Sequence, residues 1–583
     1  MKKQLTELKD TYEKKLEEYY KKGDIFSKTR IFLFFCFLIL VFFYSNYSSW
    51  FLILLLSGII ILFLAIVMNH SKLNREIKKY EVYLKLLERY ENRMTNKWKE
   101  EENETISTEL LFLEDLNITG KNSLFQFLNF TSSLGGKEKL VNALSLKKVT
   151  KKNILANQMA IEELKNNFEF VLFFQEKMTH VKNVEKINFK NYYSFFAKKE
   201  KDKKIEMLIS FIFSIFTILT FLLSCFQILD PVYFVGLFFF QLAASFLYAS
   251  IYREEFEEIS RCVRTFSSLK DVYHYIEGIP FQSKKNESLR ASIQKGEEIL
   301  GCFHKISTLN SYRFNLITNL LFNIFFSLNF RILYQYTKLL KNENSSFKES
   351  IEALEEFELL ISLSTIAFVK EQIVLPMLQE NISLEMIDMK HPLLEENTCV
   401  ANNFQCNQDI QIITGSNMSG KTSFMRTIGV NLILAYTGTY VTASRFSCSI
   451  MKIFTSINVK DDISNGISTF YGELKRIKEV LDFSKEKKLP MIVFIDEIFK
   501  GTNYNDRILG AKEVLKKLSG LPCIVFLTTH DFELCEINNR KVHNYHFEET
   551  YQKNKIFFDY KIKKGQCKTT NAKYLMKEIG IID

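Results

Sequence analysis

Two long apolar runs interrupt an otherwise charged chain. From Ile31 to Met68 there are 38 residues without Asp, Glu, Lys or Arg, and from Met207 to Tyr252 there are 46 with one charge, Asp230. A helix that crosses a bilayer needs about 20 apolar residues, so each run has the length of two helices. The polar break Ser45-Asn46-Tyr47-Ser48-Ser49 supplies the turn of the first hairpin, and Asp230-Pro231 that of the second. A buried hairpin of a soluble protein keeps a charged stripe over such a length, and these runs have none. A cleaved signal peptide does not fit either, because the charged stretch Lys2 to Arg30 precedes the first run. The stretches flanking both runs are rich in Lys and Arg while both turns lack them. The positive-inside rule then predicts four spans of the cell membrane, with both termini and every large segment in the cytoplasm.

Elsewhere the pattern is helical up to about residue 380. Leu73, Ile77, Tyr80, Leu84 and Leu87 keep three-and-four spacing, as do Phe357, Leu360, Ile361 and Ser364. The apolar segment Thr318–Leu333 is interrupted by Asn319, Asn323, Asn329 and Arg331. It is expected to be a buried cytoplasmic helix, since a fifth span would place the C-terminal domain on the other side of the membrane. After Ile387 short apolar strands alternate with helices, an α/β texture. The expected organisation is an N-terminal helix over 1–30, a membrane hairpin over 31–68 and a helical segment over 69–206. A second hairpin over 207–252, a helical lever over 253–380 and an ATPase domain over 381–583 complete it.

Composition changes this picture little. Hydrophobic residues at 47% and charged residues at 25% exclude wholesale disorder, and only 6 Pro with 20 Gly argue against an all-β architecture. The net charge of +10 is accounted for largely by the basic flanks of the apolar runs. Ten cysteines without a CxxC suit a reduced compartment. The eight histidines lack any HExxH spacing, so no structural metal is expected.

The chemistry lies near the C-terminus. The strand Ile410–Ile413 runs into Gly415-Ser416-Asn417-Met418-Ser419-Gly420-Lys421-Thr422 and then a helix beginning near Ser423, the strand–GxxxxGK[ST]–helix context of a P-loop. Glycines let backbone N–H groups turn toward phosphates, Lys421 neutralises the β- and γ-phosphates, and Thr422 ligates Mg²⁺. The strand Met491–Ile495 delivers Asp496 toward the Mg²⁺ shell, and Glu497 is the natural group to orient the attacking water. A third strand, Cys523–Leu527, ends in Thr528-Thr529-His530, which puts His530 within reach of the γ-phosphate.

These segments resemble the MutS mismatch-repair ATPases. Thr414–Thr422 is similar to their TGPNMGGKS loop, and Asn-Met inside a P-loop separates that family from ordinary ABC transporters. Ser468-Thr469-Phe470-Tyr471-Gly472-Glu473 resembles their STF-x-x-E segment, and Asp496–Thr502 their DE-x-x-RGT. Thr528–Leu534 resembles TTH-x-x-EL and Lys390-His391-Pro392-Leu393 their RHP box. More weakly, Asn122–Gly136 and Asn157–Leu164 resemble two segments of the family's helical core. Two departures stand out. The first span begins at Ile31, which leaves no room ahead of it for the mismatch-reading domain, and Cys399 stands where the family's adenine-stacking aromatic is expected.

The resemblance implies an α/β P-loop (ABC-type) ATPase domain at the C-terminus, with an all-α MutS-like core that carries the two transmembrane hairpins. It implies a homodimer with ATP and Mg²⁺ in composite sites: one subunit supplies residues 415–423, Asp496, Glu497 and His530. The other supplies Ser468 and the loop Gly501-Thr502-Asn503 in trans. ATP binding would tighten the dimer and hydrolysis loosen it, and the helical core would pass that change to the spans. The main alternative is a membrane-tethered factor for mismatched or branched DNA, using basic pairs such as Lys147-Lys148 and Lys151-Lys152. A lesser one is an ABC-like transporter, against which stands the absence of any acid or base within the spans.

Overall fold

The computed structural model describes residues 2–47, 50–101, 110–182, 203–341, 345–457, 469–486, 489–552 and 555–567. It divides into two compact units, residues 1–101 with 367–371, and the remainder.

The first unit is built on an antiparallel pair of helices, α1 (Lys2–Asn46) and α2 (Trp50–Met94). No proline falls in this stretch, so neither helix stops where its polarity changes. Each runs through the expected boundary at residue 30 or 68 to a length of about 68 Å. Lys9 pairs with Glu91 at 2.8 Å and the Tyr20 hydroxyl donates to Glu81 at 2.6 Å. Tyr12 packs between Tyr80 and Tyr83, with ring centroids 5.4 and 5.2 Å apart. The apolar halves show their side chains outward: Phe32, Phe35 and Phe42 on α1, Trp50, Leu54 and Ile61 on α2.

The second unit begins with helices α3 (Leu111–Asp115), α4 (Leu124–Leu128), α5 (Leu134–Leu144), α6 (Lys151–Asn166) and α7 (Phe168–Lys182). The second apolar run forms α8 (Lys204–Cys225) and α9 (Pro231–Ile251), joined by a turn in which Asp230 caps α9 through the Val232 amide. Helices α10 (Arg253–Glu277), α11 (Lys284–Ser311), α12 (Leu316–Phe326), α13 (Leu328–Lys341) and α14 (Ser345–Val369) follow. The abundant phenylalanines fill this bundle: Phe170 meets Phe281 and Phe357 at 5.5 and 6.0 Å, and Phe266 meets Phe303 and Phe347 at 4.8 and 5.1 Å. Among the described residues, four helices, α1, α2, α8 and α9, are long and apolar enough to cross a membrane.

The segment expected as one buried helix over Thr318–Leu333 is different. It is two helices, α12 and α13, bent by 77° at Ser327, whose φ of 51° is left-handed. Leu316, Ile317, Leu321 and Phe326 are exposed, whereas Asn323 and Asn329 are buried. The expected single buried helix missed both the bend and the exposed apolar face of α12; buried Asn323 and Asn329 sit beside Ile324, Leu328, Ile332 and Leu333.

The α/β region holds β1 (Met377–Gln379), β2 (Ser383–Met389), β3 (Asn402–Asn407), β4 (Ile410–Thr414), β5 (Arg445–Ser449) and β6 (Lys452–Ser456). Then come β7 (Met491–Asp496), β8 (Cys523–Thr528), β9 (Val542–His546), β10 (Glu549–Gln552), β11 (Lys555–Phe558) and β12 (Lys563–Lys564). A six-stranded sheet runs β12-β9-β4-β8-β7-β6, parallel except for β12, beside a four-stranded sheet β1-β5-β2-β3. β1 pairs with β5, so the sheet region starts slightly before residue 381; three residues with one partly buried side chain carry no periodic signal. Helices α15 (Lys421–Thr437), α16 (Thr469–Lys485) and α17 (Tyr504–Ser519) complete the region. On one sheet face Ile477, Val480, Ala511, Leu515 and Leu518 close over β7 and β8.

Candidate active site

Strands β4, β8 and β7 are neighbours and parallel, so their C-terminal ends deliver residues to one edge. β4 is buried over its whole length and opens into the loop 415–420. Gly415 has φ 148°, and a Cβ there would lie 2.7 Å from the Phe547 carbonyl oxygen. Only glycine fits that turn. α15 starts at once after Gly420, so its N-terminal amides point at the loop.

Lys421 is nearly enclosed, at 6% exposure. Its Nζ donates to the carbonyls of Gly415 (2.7 Å) and Ser416 (2.8 Å) and lies 3.4 Å from His530 Nε2. Burial pulls its pKa below the ordinary lysine value, against the fields of Glu497 and Asp496. The Thr422 hydroxyl donates to both oxygens of Asp496 at 3.1 Å, and the Thr528 hydroxyl donates to the same carboxylate. This all-oxygen pair of hydroxyl and carboxylate fits a hard divalent cation such as Mg²⁺. Ser419 Oγ is buried and makes no hydrogen bond, while the Ser416 hydroxyl donates to Glu549 at 2.8 Å. An unused hydroxyl inside a glycine-bounded loop, next to a caged lysine, fits a phosphate oxygen.

Glu497 follows β7 with φ 55°, a left-handed backbone that ordinary side chains avoid and active sites tolerate. Its carboxylate lies 3.2 Å from His530 Nε2 and 3.4 Å from Lys500 Nζ. The hydrogen bond from His530, followed by the charge of Lys500, takes its pKa down to about 2. His530 also lies 3.0 Å from Asn417 Oδ1 in the loop. Lys421, Thr422, Asp496, Glu497 and His530 therefore converge, together with Asn417. Met418 and Ser423 are exposed at the rim.

The residues expected to act on a second subunit make other contacts. Gly501 packs on Phe470, Thr502 is half-buried and Asn503 caps α17 by accepting from the Asp506 amide at 2.9 Å. Ser468 is outside the described residues. Glu473, one turn into α16, is buried and has a raised pKa through burial; it accepts from the backbone of Phe499 and Lys500.

Three parts of this neighbourhood were missed in the sequence. Tyr560 packs its ring against Gly420, and its carbonyl accepts from Asn402 at 2.9 Å; Cys399, by contrast, accepts the His391 amide at 3.3 Å. Tyr560 lies far along the chain, between β11 and β12, and carries no motif. Glu549, the partner of Ser416, is equally remote. Asp115 reaches in from α3 to pair with Arg476 on α16 at 2.5 Å, and a lone Asp in a helical stretch gave no sign of it.

Residues 411–579 match the family model of MutS domain V. The C-terminal domain is a MutS domain V. That is the ATPase domain of its family, and its match covers the loop, the acid-bearing end of β7 and His530. The helical segments with weaker likeness dock onto this domain V. Asn157 on α6 donates to the Thr437 carbonyl at the end of α15 (2.8 Å), and Gln158 donates to the Pro376 carbonyl (2.8 Å). Gly135 and Gly136 open α5 to α14, where Glu358 accepts from the Ser132 amide at 2.6 Å and the Ser133 amide at 3.1 Å.

Proposed function

We propose that this protein is a membrane-embedded ATPase that binds Mg·ATP on the loop 415–423 and couples its hydrolysis to movement of the helical core and membrane spans. The convergence of Lys421, Thr422, Asp496, Glu497 and His530 on one sheet edge carries this reading. Lys421, released from the Gly415 and Ser416 carbonyls, moves its charge onto the phosphates. Bound Mg²⁺ supplies neutralisation of phosphate charge, held by Thr422 and Asp496. Glu497, ionised at any physiological pH, positions the attacking water by accepting its hydrogen bond; a carboxylate of such low pKa is a weak proton acceptor. His530, held by Glu497 and Asn417, donates toward the γ-phosphate. Tyr560 offers an aromatic surface beside the loop for the base.

The coupling route is supported by two links out of domain V. α16 holds the Phe499–Lys500 backbone through Glu473 and holds the helical core through Arg476–Asp115. At the far end of α15, Asn157 on α6 connects to Glu163, whose carboxylate accepts from the Ser283 amide (3.2 Å) and Asn286 Nδ2 (2.9 Å) at the start of α11. α11 then spans about 42 Å to Asn310, which donates to Ser260 at the foot of the second hairpin. Two domain V units face each other in this reading, with Ser468 and Gly501–Asn503 completing the partner's site.

The test is steady-state ATPase activity in detergent, with Glu497→Gln as control and with homoduplex, mismatched and branched DNA added. Hydrolysis abolished by Glu497→Gln and indifferent to DNA supports a membrane switch. Salt-sensitive stimulation by one DNA form would instead support a tethered DNA-acting factor, and no hydrolysis at all would sink the ATPase reading.

A further inference from the structure

The second hairpin hides a continuous polar seam. Ser210, Ser214 and Thr217 on α8 and Gln241 and Ser245 on α9 are each 7% exposed or less. Thr217 donates to Gln241 at 2.9 Å, and Gln241 donates to Ser214 at 2.5 Å. The remaining partners come from α12 and α13. Ser210 and Ser214 each lie 2.8 Å from the Ser327 hydroxyl, Ser245 donates to Asn323 at 2.7 Å, and Asn329 Nδ2 donates back to Ser245 at 3.0 Å. A polar group in hydrocarbon is costly unless bonded to another, so these helices share one depth. Ser214 stands ten residues along α8 from Lys204, about 15 Å in at 1.5 Å per residue.

The start of the bent pair and its bend both attach near the charged end of the hairpin. Just before α12, Arg313 sits 3.9 Å over the Phe256 ring, one turn beyond α9. Just after the bend, Phe330 stacks on Tyr248 at 3.9 Å. A span would leave at the opposite end. Away from the seam, α12 presents Leu316, Ile317, Leu321 and Phe326, from 47% to 72% exposed, as apolar as the outward Leu208, Phe239 and Leu247 of the hairpin. Arg331, Lys338 and Lys341 are exposed on α13, as suits a helix lying among anionic headgroups.

We propose that α12 and α13 form a re-entrant membrane element: α12 dips part-way into the leaflet next to the hairpin's charged end, its outer face against lipid acyl chains, and α13 returns along the headgroups. This rests on the reading that the second hairpin crosses the bilayer. It makes the membrane a direct contact of the segment that links α11 to α14, and not only of the anchor.

The test uses full-length protein with its accessible native cysteines changed to serine, in phosphatidylcholine–phosphatidylglycerol vesicles. Single bimane-labelled cysteines report at Leu321→Cys, at Phe239→Cys in the hairpin and at Lys305→Cys on α11, with a nitroxide on the lipid acyl chain as quencher. The expected result is quenching at both 321 and 239, and none at 305. Quenching at 239 but not at 321 overturns the proposal and leaves α12 covered by protein, including a second copy, or by water. No quenching at 239 removes the hairpin from the bilayer, and the proposal falls with the reading beneath it. In a second arm, Thr308→Cys and Lys338→Cys should react with a membrane-impermeant maleimide from the same side. Reaction from opposite sides would make the pair a fifth span and also overturn it.

Discussion

Glu355 on α14 shows what a single buried acid does here. It lies against Gly135, where a Cβ would sit 1.7 Å from its Oε1, and burial, with Glu358 nearby, raises its pKa to about 7. Its folded-state value exceeds the unfolded one, so the folded protein holds a proton the unfolded chain has lost. Stability therefore falls as pH rises from about 4.5 to about 7, by on the order of 3 kcal/mol. Denaturant melts across that range should show the fall, and Glu355→Gln should flatten it. Gly135→Ala forces the acid aside and should cost about 1–3 kcal/mol in the same melts. Glu497 has the opposite sign: its pKa of about 2 stabilises above the unfolded value and that gain disappears as pH falls toward 2. At the proposed active site, Glu497→Gln should lower turnover by roughly 10² or more while a fluorescent ATP analogue still binds.

At the scale of elements, α16 is the lever to test. Breaking a buried ion pair by removing one partner costs about 3–5 kcal/mol, and Asp115 and Arg476 have side chains 2% and 13% exposed. Asp115→Ala should destabilise the protein by that order, whereas the double variant Asp115→Asn/Arg476→Gln should recover part of the stability. The informative readout is whether ATP still changes protease sensitivity of the helical core in that double variant; loss of the change, with ATP binding intact, assigns the pair to coupling. Helix existence was legible from three-and-four spacing, as in Leu73–Leu87 of α2. The bend at Ser327 was not, because nothing local marks a serine for a left-handed backbone when its hydroxyl is held by Ser210 and Ser214 on another helix.

For the whole molecule the decisive question is assembly. Mixing Lys421→Ala protein with Ser468→Arg protein should restore ATPase activity, since each mixed dimer regains one intact composite site; activity no greater than the sum of the two would argue for sites complete within one chain. Cysteines placed at Tyr47 and Ile228, in the two hairpin turns, should cross-link differently in nucleotide-free and ATP-trapped Glu497→Gln protein. Identical patterns would leave the hairpins as passive anchors.

The candidate site was readable because its motifs are local. A loop of fixed spacing joins a buried strand to a helix, and two further strands end in Asp496-Glu497 and Thr529-His530, each motif complete within a few residues. The apolar runs were readable for the same reason, since length and lack of charge are properties of a segment. Tertiary structure alone brought Tyr560 to Gly420, Glu549 to Ser416 and Asp115 to Arg476, pairs separated by 140, 133 and 361 residues. It also buried Asn323 of α12 and Asn329 of α13 against the second hairpin, because an amide meets protein where its neighbour can bond it, and here that neighbour offers Ser245.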